Sequence, residues 1–279
     1  MDNLVSTDWL AARLTAEDLV VIDASMHLPD AGRDAQAEFC DGHIPGARFL
    51  DLETFIDTGS AVPKAVPNAE QFAQRLGELG IAAQQRIVLY DDSAIRSAAR
   101  AWFIFHLYGE SKVAILDGGL EKWRSEGRAL EAGELDHAPR DYSVPEPRPL
   151  VASMDNVREI AESGEAQLVD ARDAARFAGE AGSGSEGHIP GARNLPYPLL
   201  FNSDGTYKAS SDIRQEFERA GIDLSRPIVT TCNSGMTAAV LLYGLERAGA
   251  NNVALYDGSW LEWGGDPATP KETGGTARA

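Results

Sequence analysis

The chain has 279 residues, 43% of them hydrophobic and 24% charged, which suits one large or two modest globular domains. Its formal net charge of −18 argues against a nucleic-acid groove or an anionic membrane as partner. Two cysteines, Cys40 and Cys232, make no disulfide framework at this length.

In chain order, the acidic start Met1-Asp2-Asn3-Leu4-Val5 lacks a basic region ahead of an apolar core, so no signal peptide is read. Leu19 to Ile22 reads as a short buried strand. Asn68 to Leu79 is an amphipathic helix, with Asn68 as N-cap and Gly80 just past its end. Arg86 to Tyr90 is a strand, Ser97 to Tyr108 a helix and Val113 to Leu116 a strand. The same alternation follows as strands over Gln167 to Val169, Ile228 to Thr231 and Val253 to Tyr256, with helices over Ser211 to Ala220 and Met236 to Ala248. Short strands alternating with helices predict an α/β fold, a parallel sheet covered by helices on both faces. No apolar run is long enough to span a bilayer, and the thiols suit a reducing compartment, so a cytoplasmic protein is expected. No Cys/His cluster has metal-ligand spacing, and no metal or organic cofactor is expected.

The chain repeats itself. Asp41-Gly-His-Ile-Pro-Gly-Ala-Arg48 recurs as Glu186-Gly-His-Ile-Pro-Gly-Ala-Arg193, and Asp117-Gly-Gly-Leu-Glu-Lys-Trp123 as Asp257-Gly-Ser-Trp-Leu-Glu-Trp263. With Val21-Ile-Asp-Ala24 against Val169-Asp-Ala171, the offsets stay between 140 and 147 residues. Three collinear matches indicate two copies of one domain, 1–132 and 151–279. The polar, proline-rich stretch 133–150 reads as their linker.

The chemistry concentrates in Thr230-Thr-Cys-Asn-Ser-Gly-Met-Thr237. A strand delivers Cys232 to a short glycine-containing turn, and a helix follows at once. Such a turn can curl its N–H groups inward with the positive end of a helix behind them. That environment holds a sulfur anion and suits a nucleophile. Aligning Ile87-Val-Leu-Tyr90 on Ile228-Val-Thr-Thr231 puts Asp91 opposite Cys232, and a carboxylate cannot carry a transferable sulfur. The first copy is therefore expected to be catalytically inactive, with Asp91 and Asp92 as solvated or capping carboxylates.

Two such repeats, the paired Gly-His-Ile-Pro-Gly-Ala segments, the cysteine loop and Asp257-Gly-Ser-Trp-Leu-Glu-Trp263 resemble the tandem rhodanese family, the thiosulfate and 3-mercaptopyruvate sulfurtransferases. The resemblance covers nearly the whole chain. It implies two rhodanese-like domains and sulfur transfer through a Cys232 persulfide, from a small anionic donor to a thiol acceptor such as thioredoxin, or to cyanide. It implies that amides of Asn233, Gly235, Met236 and Thr237 bind the anionic sulfur and that Ser234 assists the reaction. Arg176, in Ala175-Arg-Phe177, resembles the family's arginine for the donor's negative group; its competing reading is a surface ion pair with Asp173 or Glu180. Arg172 is expected to be structural.

The loop lacks the cations that usually follow the cysteine in thiosulfate-preferring members, which favours 3-mercaptopyruvate as donor, with thiosulfate the alternative. Three features depart from the mercaptopyruvate pattern. Asn233 and Met236 replace Gly and Val, no second arginine occurs in 178–186, and Glu53 and Lys64 stand where an Asp and a His are usual. Lys64 can supply positive charge, or be a solvated loop lysine. His43 and His188 occur in both copies and so are expected to pack rather than react. Cys40, opposite Ser185, reads as an incidental thiol. A phosphatase of the same superfamily is disfavoured, since its loop ends in arginine where this one has Ala238. A non-catalytic binding protein is the remaining alternative.

Overall fold

The computed structural model describes residues 1–134, 137–144 and 146–275. The expected linker 133–150 includes 135, 136 and 145, and the expected second domain includes 276–279; these positions lie outside the described residues. The chain forms two compact units. One comprises Met1–Thr58, Val66–Arg148 and Ser203–Tyr207; the other comprises Gly59–Ala65, Pro149–Asn202 and the chain from Lys208.

In the first unit the elements are β1 (Leu4–Val5), α1 (Thr7–Ala11), β2 (Leu19–Asp23), α2 (Ala35–Asp41), β3 (Arg48–Phe49), α3 (Ala69–Glu78), β4 (Arg86–Tyr90), α4 (Ala98–Leu107), β5 (Val113–Leu116) and α5 (Gly119–Ser125). The strands form one parallel sheet in the order β1-β5-β4-β2-β3. Val21, Val88 and Ala114 turn to one face, where Leu10 of α1, Phe39 of α2 and Trp123 of α5 pack. Val20, Ile22, Ile87 and Leu89 alternate to the other face and are buried as well. There α4 lies against β4 and β5. Burial on both faces is why these strands read as unbroken apolar runs.

Local signals set the helix ends. The Asn68 side chain accepts the Gln71 amide while Gln71 bonds back to Asn68 N–H, a reciprocal cap on α3. Phe72 of α3 then packs against Phe105 and Tyr108, with ring centroids 5.3 and 4.5 Å away. Two residues of the polar stretch after Gly133 bond to this unit: Arg140 N–H bonds Gly77 O at 3.0 Å, and the Tyr142 hydroxyl bonds Glu110 at 2.7 Å.

The second unit repeats the pattern with β6 (Val151–Ala152), α6 (Met154–Ser163), β7 (Gln167–Asp170), α7 (Ala174–Ala178), β8 (Arg193–Asn194), α8 (Ser210–Arg219), β9 (Ile228–Thr231), α9 (Met236–Arg247), β10 (Val253–Tyr256) and α10 (Ser259–Trp263). Its parallel sheet has the order β6-β10-β9-β7-β8, the same topology as the first. Val157, Phe177, Ile189 and Trp263 fill one face, while α9 packs on β9 and β10. Among the described residues, no helix is long and apolar enough to cross a membrane.

The two His-Ile-Pro-Gly segments do the same structural work. His43 Nδ1 donates to Phe39 O at 2.8 Å and its ring stacks on Phe39; His188 Nδ1 donates to Phe177 O at 2.7 Å and stacks on Phe177. Each also forms a backbone bridge, His43 with Glu131 and His188 with Glu272.

The sheets differ at one buried carboxylate. Asp170 is paired with Arg172, whereas the matching Asp23 is followed by Ser25, whose N–H is its partner at 2.8 Å. Burial pushes the Asp23 carboxyl up to about 6, against the pull of its hydrogen bonds to Ser25 and Tyr90. An unfolded Asp titrates near 3.9. Between about pH 4 and 6 the folded chain thus holds a proton that the unfolded chain lacks, and Asp23 removes stability as pH rises through that window. Asp23→Asn should therefore gain on wild type from pH 4.5 to pH 7, measured by urea unfolding at both. A stability difference that does not change with pH would refute this.

Candidate active site

Ligands of open parallel sheets bind beyond the carboxyl ends of the strands. In the second unit Cys232 follows the last residue of β9, and α9 begins at Met236. The turn between them closes because Gly235, the N-cap, adopts φ 72°, where a side chain is disfavoured. Cys232 is 1% exposed; Asn233, Ser234 and Thr237 are half-buried, and Gly235 and Met236 are buried. The first amides of a helix have no carbonyl partner within it, so α9 presents donors and the positive end of its dipole to this turn. In a water-poor site such donors stabilise an anion more than they do in water.

The segment before and within α10 holds the turn from outside. Trp260 N–H bonds Cys232 O at 3.1 Å and Leu261 N–H bonds Asn233 O at 2.8 Å. The Ser259 hydroxyl accepts the amides of Cys232 and Gly235, each at 3.1 Å, and donates to Tyr256 O at 2.8 Å. Ser259 is fully buried and sits at φ 50°, in the left-handed region that costs a non-glycine residue on the order of 1–2 kcal/mol. Sequence reasoning missed Ser259. Its one signal was the repeat, which sets Ser259 against Gly119.

Arg172 is structural. Its guanidinium grips Asp170 with bonds of 2.6 to 3.0 Å, and both side chains are almost wholly buried. It also donates to Ser185 Oγ at 2.9 Å and Gly187 O at 3.0 Å, and lies over the Trp260 ring at 4.6 Å. A buried ion pair thus ties the end of β7 to the segment that braces the cysteine. Arg176, on α7, keeps its side chain 41% exposed and pairs with Asp173, the first of the two partners the sequence offered. Asp173 also caps α7, and its carboxyl is lowered because the Arg176 contacts and N–H bonds outweigh burial.

The first unit builds the same loop differently. Asp91 follows the last residue of β4 and is buried, not solvated. Its carboxylate accepts Ser93 N–H at 3.1 Å and Ala98 N–H at 2.7 Å, so it occupies its own anion-binding turn at the start of α4. Burial pushes this carboxyl up, with those two amides opposing. Leu120 N–H bonds Asp91 O at 3.0 Å, as Trp260 does Cys232 O. At Gly119, φ +58°, an added Cβ would lie 2.4 Å from Asp91 O, so no side chain fits. Asp92 is salt-bridged to Arg33 and Arg124. Cys40 bonds Glu134 at 3.5 Å, and burial pushes its thiol up. Glu53 is exposed and belongs to the first unit; Lys64 is exposed, at φ 56°, and belongs to the second.

Two copies of one α/β unit, with a thiol at the loop after β9 and a carboxylate at the matching loop after β4, define a tandem α/β protein whose copies differ at that position. The rhodanese-like domain family model matches residues 6–126 and 153–266, and the chain belongs to that family. It is 38% identical over 270 residues to human 3-mercaptopyruvate sulfurtransferase, covering 93% of this chain and 91% of the relative. It is 36% identical over 268 residues to chicken thiosulfate sulfurtransferase, covering 93% and 92%. The crystal structure of SseA, a 3-mercaptopyruvate enzyme of Escherichia coli, superposes with a TM-score of 0.86 at 36% identity, covering 93% of this chain and 99% of that one.

Proposed function

We propose that the chain is a sulfurtransferase that takes sulfur from 3-mercaptopyruvate through a Cys232 persulfide. The observation that carries this reading is the buried Cys232 thiol at the mouth of α9, in a turn held from outside by Ser259, Trp260 and Leu261. The Cys232 thiolate attacks the donor's sulfur. A sulfur–sulfur bond forms, the donor's carbon–sulfur bond breaks, and its electron pair leaves as the pyruvate enolate, which takes a proton. Ser234 hydrogen-bonds the donor and assists that protonation. Amides of Asn233, Met236 and Thr237 stabilise the charge on sulfur; the Gly235 amide, expected to join them, is held instead by Ser259 Oγ at 3.1 Å, so Gly235 serves the site by closing the turn. An acceptor thiolate, as of a thioredoxin, or cyanide then attacks the outer sulfur and releases the Cys232 thiolate. No metal or organic cofactor takes part.

Arg176 binds the donor's carboxylate. Its exposed pair with Asp173 is of the kind worth about 0–1 kcal/mol, little to give up for a better-placed anion. Lys64 adds positive charge for the same donor. Catalysis belongs to 151–279; 1–132, whose loop is occupied by Asp91, is the inactive copy, with 133–150 joining them. The partners are small molecules and a thiol acceptor, not nucleic acid or membrane. A cytoplasmic location belongs to the same proposal, supported by two cysteines that are both free thiols.

Donor kinetics test this. Wild-type protein should show a higher kcat/KM with 3-mercaptopyruvate than with thiosulfate, because the loop carries no cation beside Cys232 for a doubly charged donor. Arg176→Ala should lose about ten- to a hundredfold in the donor step, and Arg176→Lys should recover only part, because the two-pronged fork is lost. A thiosulfate preference would overturn the donor assignment, and unchanged donor kinetics in Arg176→Ala would make that residue a surface pair only.

A further inference from the structure

We propose that Ser259 is the positioning residue that holds the Cys232 turn open for a sulfur anion, and that the Gly119-to-Ser259 exchange between the copies accompanies the Asp91-to-Cys232 exchange for this reason. The proposal rests on the sulfurtransferase reading above.

The physical problem is common to both units. A turn rich in inward-facing amides is stable only if something answers those amides. In the first unit the answer comes from inside: the Asp91 carboxylate takes Ser93 N–H and Ala98 N–H. Nothing else is needed at Gly119, and no side chain fits there. In the second unit the residue at that place is a thiol, a weak acceptor, so the turn has no internal anion until sulfur chemistry supplies one.

Ser259 answers from outside instead. A hydroxyl has one hydrogen to donate and two lone pairs to accept with. The hydrogen goes to Tyr256 O, which fixes the hydroxyl's direction and leaves both lone pairs for Cys232 N–H and Gly235 N–H. Those two amides mark the start and end of the turn. Pinning them sets its span and leaves the amides of Asn233, Ser234, Met236 and Thr237 outside the brace. The backbone agrees with this account. Ser259 is held at φ 50°, where the first unit uses glycine at φ 58°. A side chain kept in a conformation that glycine adopts more readily implies that its hydroxyl is needed.

The test uses the full chain with Ser259→Gly and Ser259→Ala. Ser259→Gly removes the hydroxyl and relieves the left-handed backbone; Ser259→Ala removes the hydroxyl alone. Three quantities are measured: the pH profile of Cys232 alkylation by iodoacetamide, kcat/KM with 3-mercaptopyruvate, and the thermal midpoint. Both variants are expected to alkylate with a profile displaced to higher pH, and to lose on the order of a hundredfold in kcat/KM. Ser259→Gly should do so with little change in thermal midpoint. Wild-type alkylation profiles in both variants would overturn the proposal, as would activity losses that merely follow a lowered thermal midpoint. If the wild-type chain transfers no sulfur but the alkylation profiles still shift, the positioning role stands and the sulfurtransferase reading fails.

Discussion

Cys232→Ser should abolish sulfur transfer with every donor, and with it the mass increase of one sulfur atom after donor treatment. The change keeps the size and position of the side chain at the end of β9 but replaces sulfur by oxygen. A serine hydroxyl is not ionised near neutral pH and cannot hold a sulfur that a second thiol will accept. The amide-lined turn, braced by Ser259, Trp260 and Leu261, then has no sulfur anion to stabilise. Asp91→Ala and Cys40→Ser should each retain most activity, because neither residue lies on the reacting loop. Steady-state assay and intact-mass measurement on the three variants check this. Full turnover in Cys232→Ser would remove the basis of the mechanism.

Arg172→Met should destabilise the fold by about 3–5 kcal/mol. The Arg172 and Asp170 side chains are 2% and 1% exposed, so neither can turn to water when its partner is lost. Removal of Arg172 leaves Asp170 a buried charge without its cation, takes the guanidinium donors from Ser185 Oγ and Gly187 O, and strips the Trp260 ring of its stacked cation. Trp260 N–H holds Cys232 O, so activity should fall together with stability. Adding Asp170→Asn should restore much of the loss, since the damage comes from the stranded charge rather than from missing attraction. Urea unfolding of both single variants and the double variant completes the cycle. A single-variant loss within about 0.5 kcal/mol, the range of an ordinary surface change, would show that the pair is not structural.

Most of the long elements were legible because they carry enough residues to show a period; the ten-residue α6, Met154–Ser163, was missed although Ser153 caps it. Asn68 and Gly80 announced α3, and β4, β5, β9 and β10 match their observed bounds. The edge strands β1, β3, β6 and β8 have two residues each, too few for any pattern; they exist because a neighbouring strand supplies their hydrogen bonds. The short helices α1, α7 and α10, five residues each, fall below the same limit. Proline and charge made 133–150 read as a linker, yet composition says nothing of the few bonds by which Arg140 and Tyr142 attach to the first unit. At the site, Cys232, Gly235 and the start of α9 could be read directly. Arg172 and Arg176, four residues apart, are the same residue type, and only the resemblance told them apart in the sequence; burial against Asp170 bears out the structural reading of Arg172, and exposure beside Asp173 describes Arg176.

The sequence by itself determined that this is one α/β domain written twice, with a cysteine after β9 in the second copy and a carboxylate in its place in the first. Such facts are local and repeat along the chain, so alignment of the chain on itself exposes them. Only the tertiary structure decided how each loop is satisfied: Asp91 from within, Ser259 from a segment 27 residues beyond the cysteine. A hydrogen bond between residues far apart in sequence leaves no periodic trace. It arises when β9 and β10 pair in register and carry their following loops to the same end of the sheet.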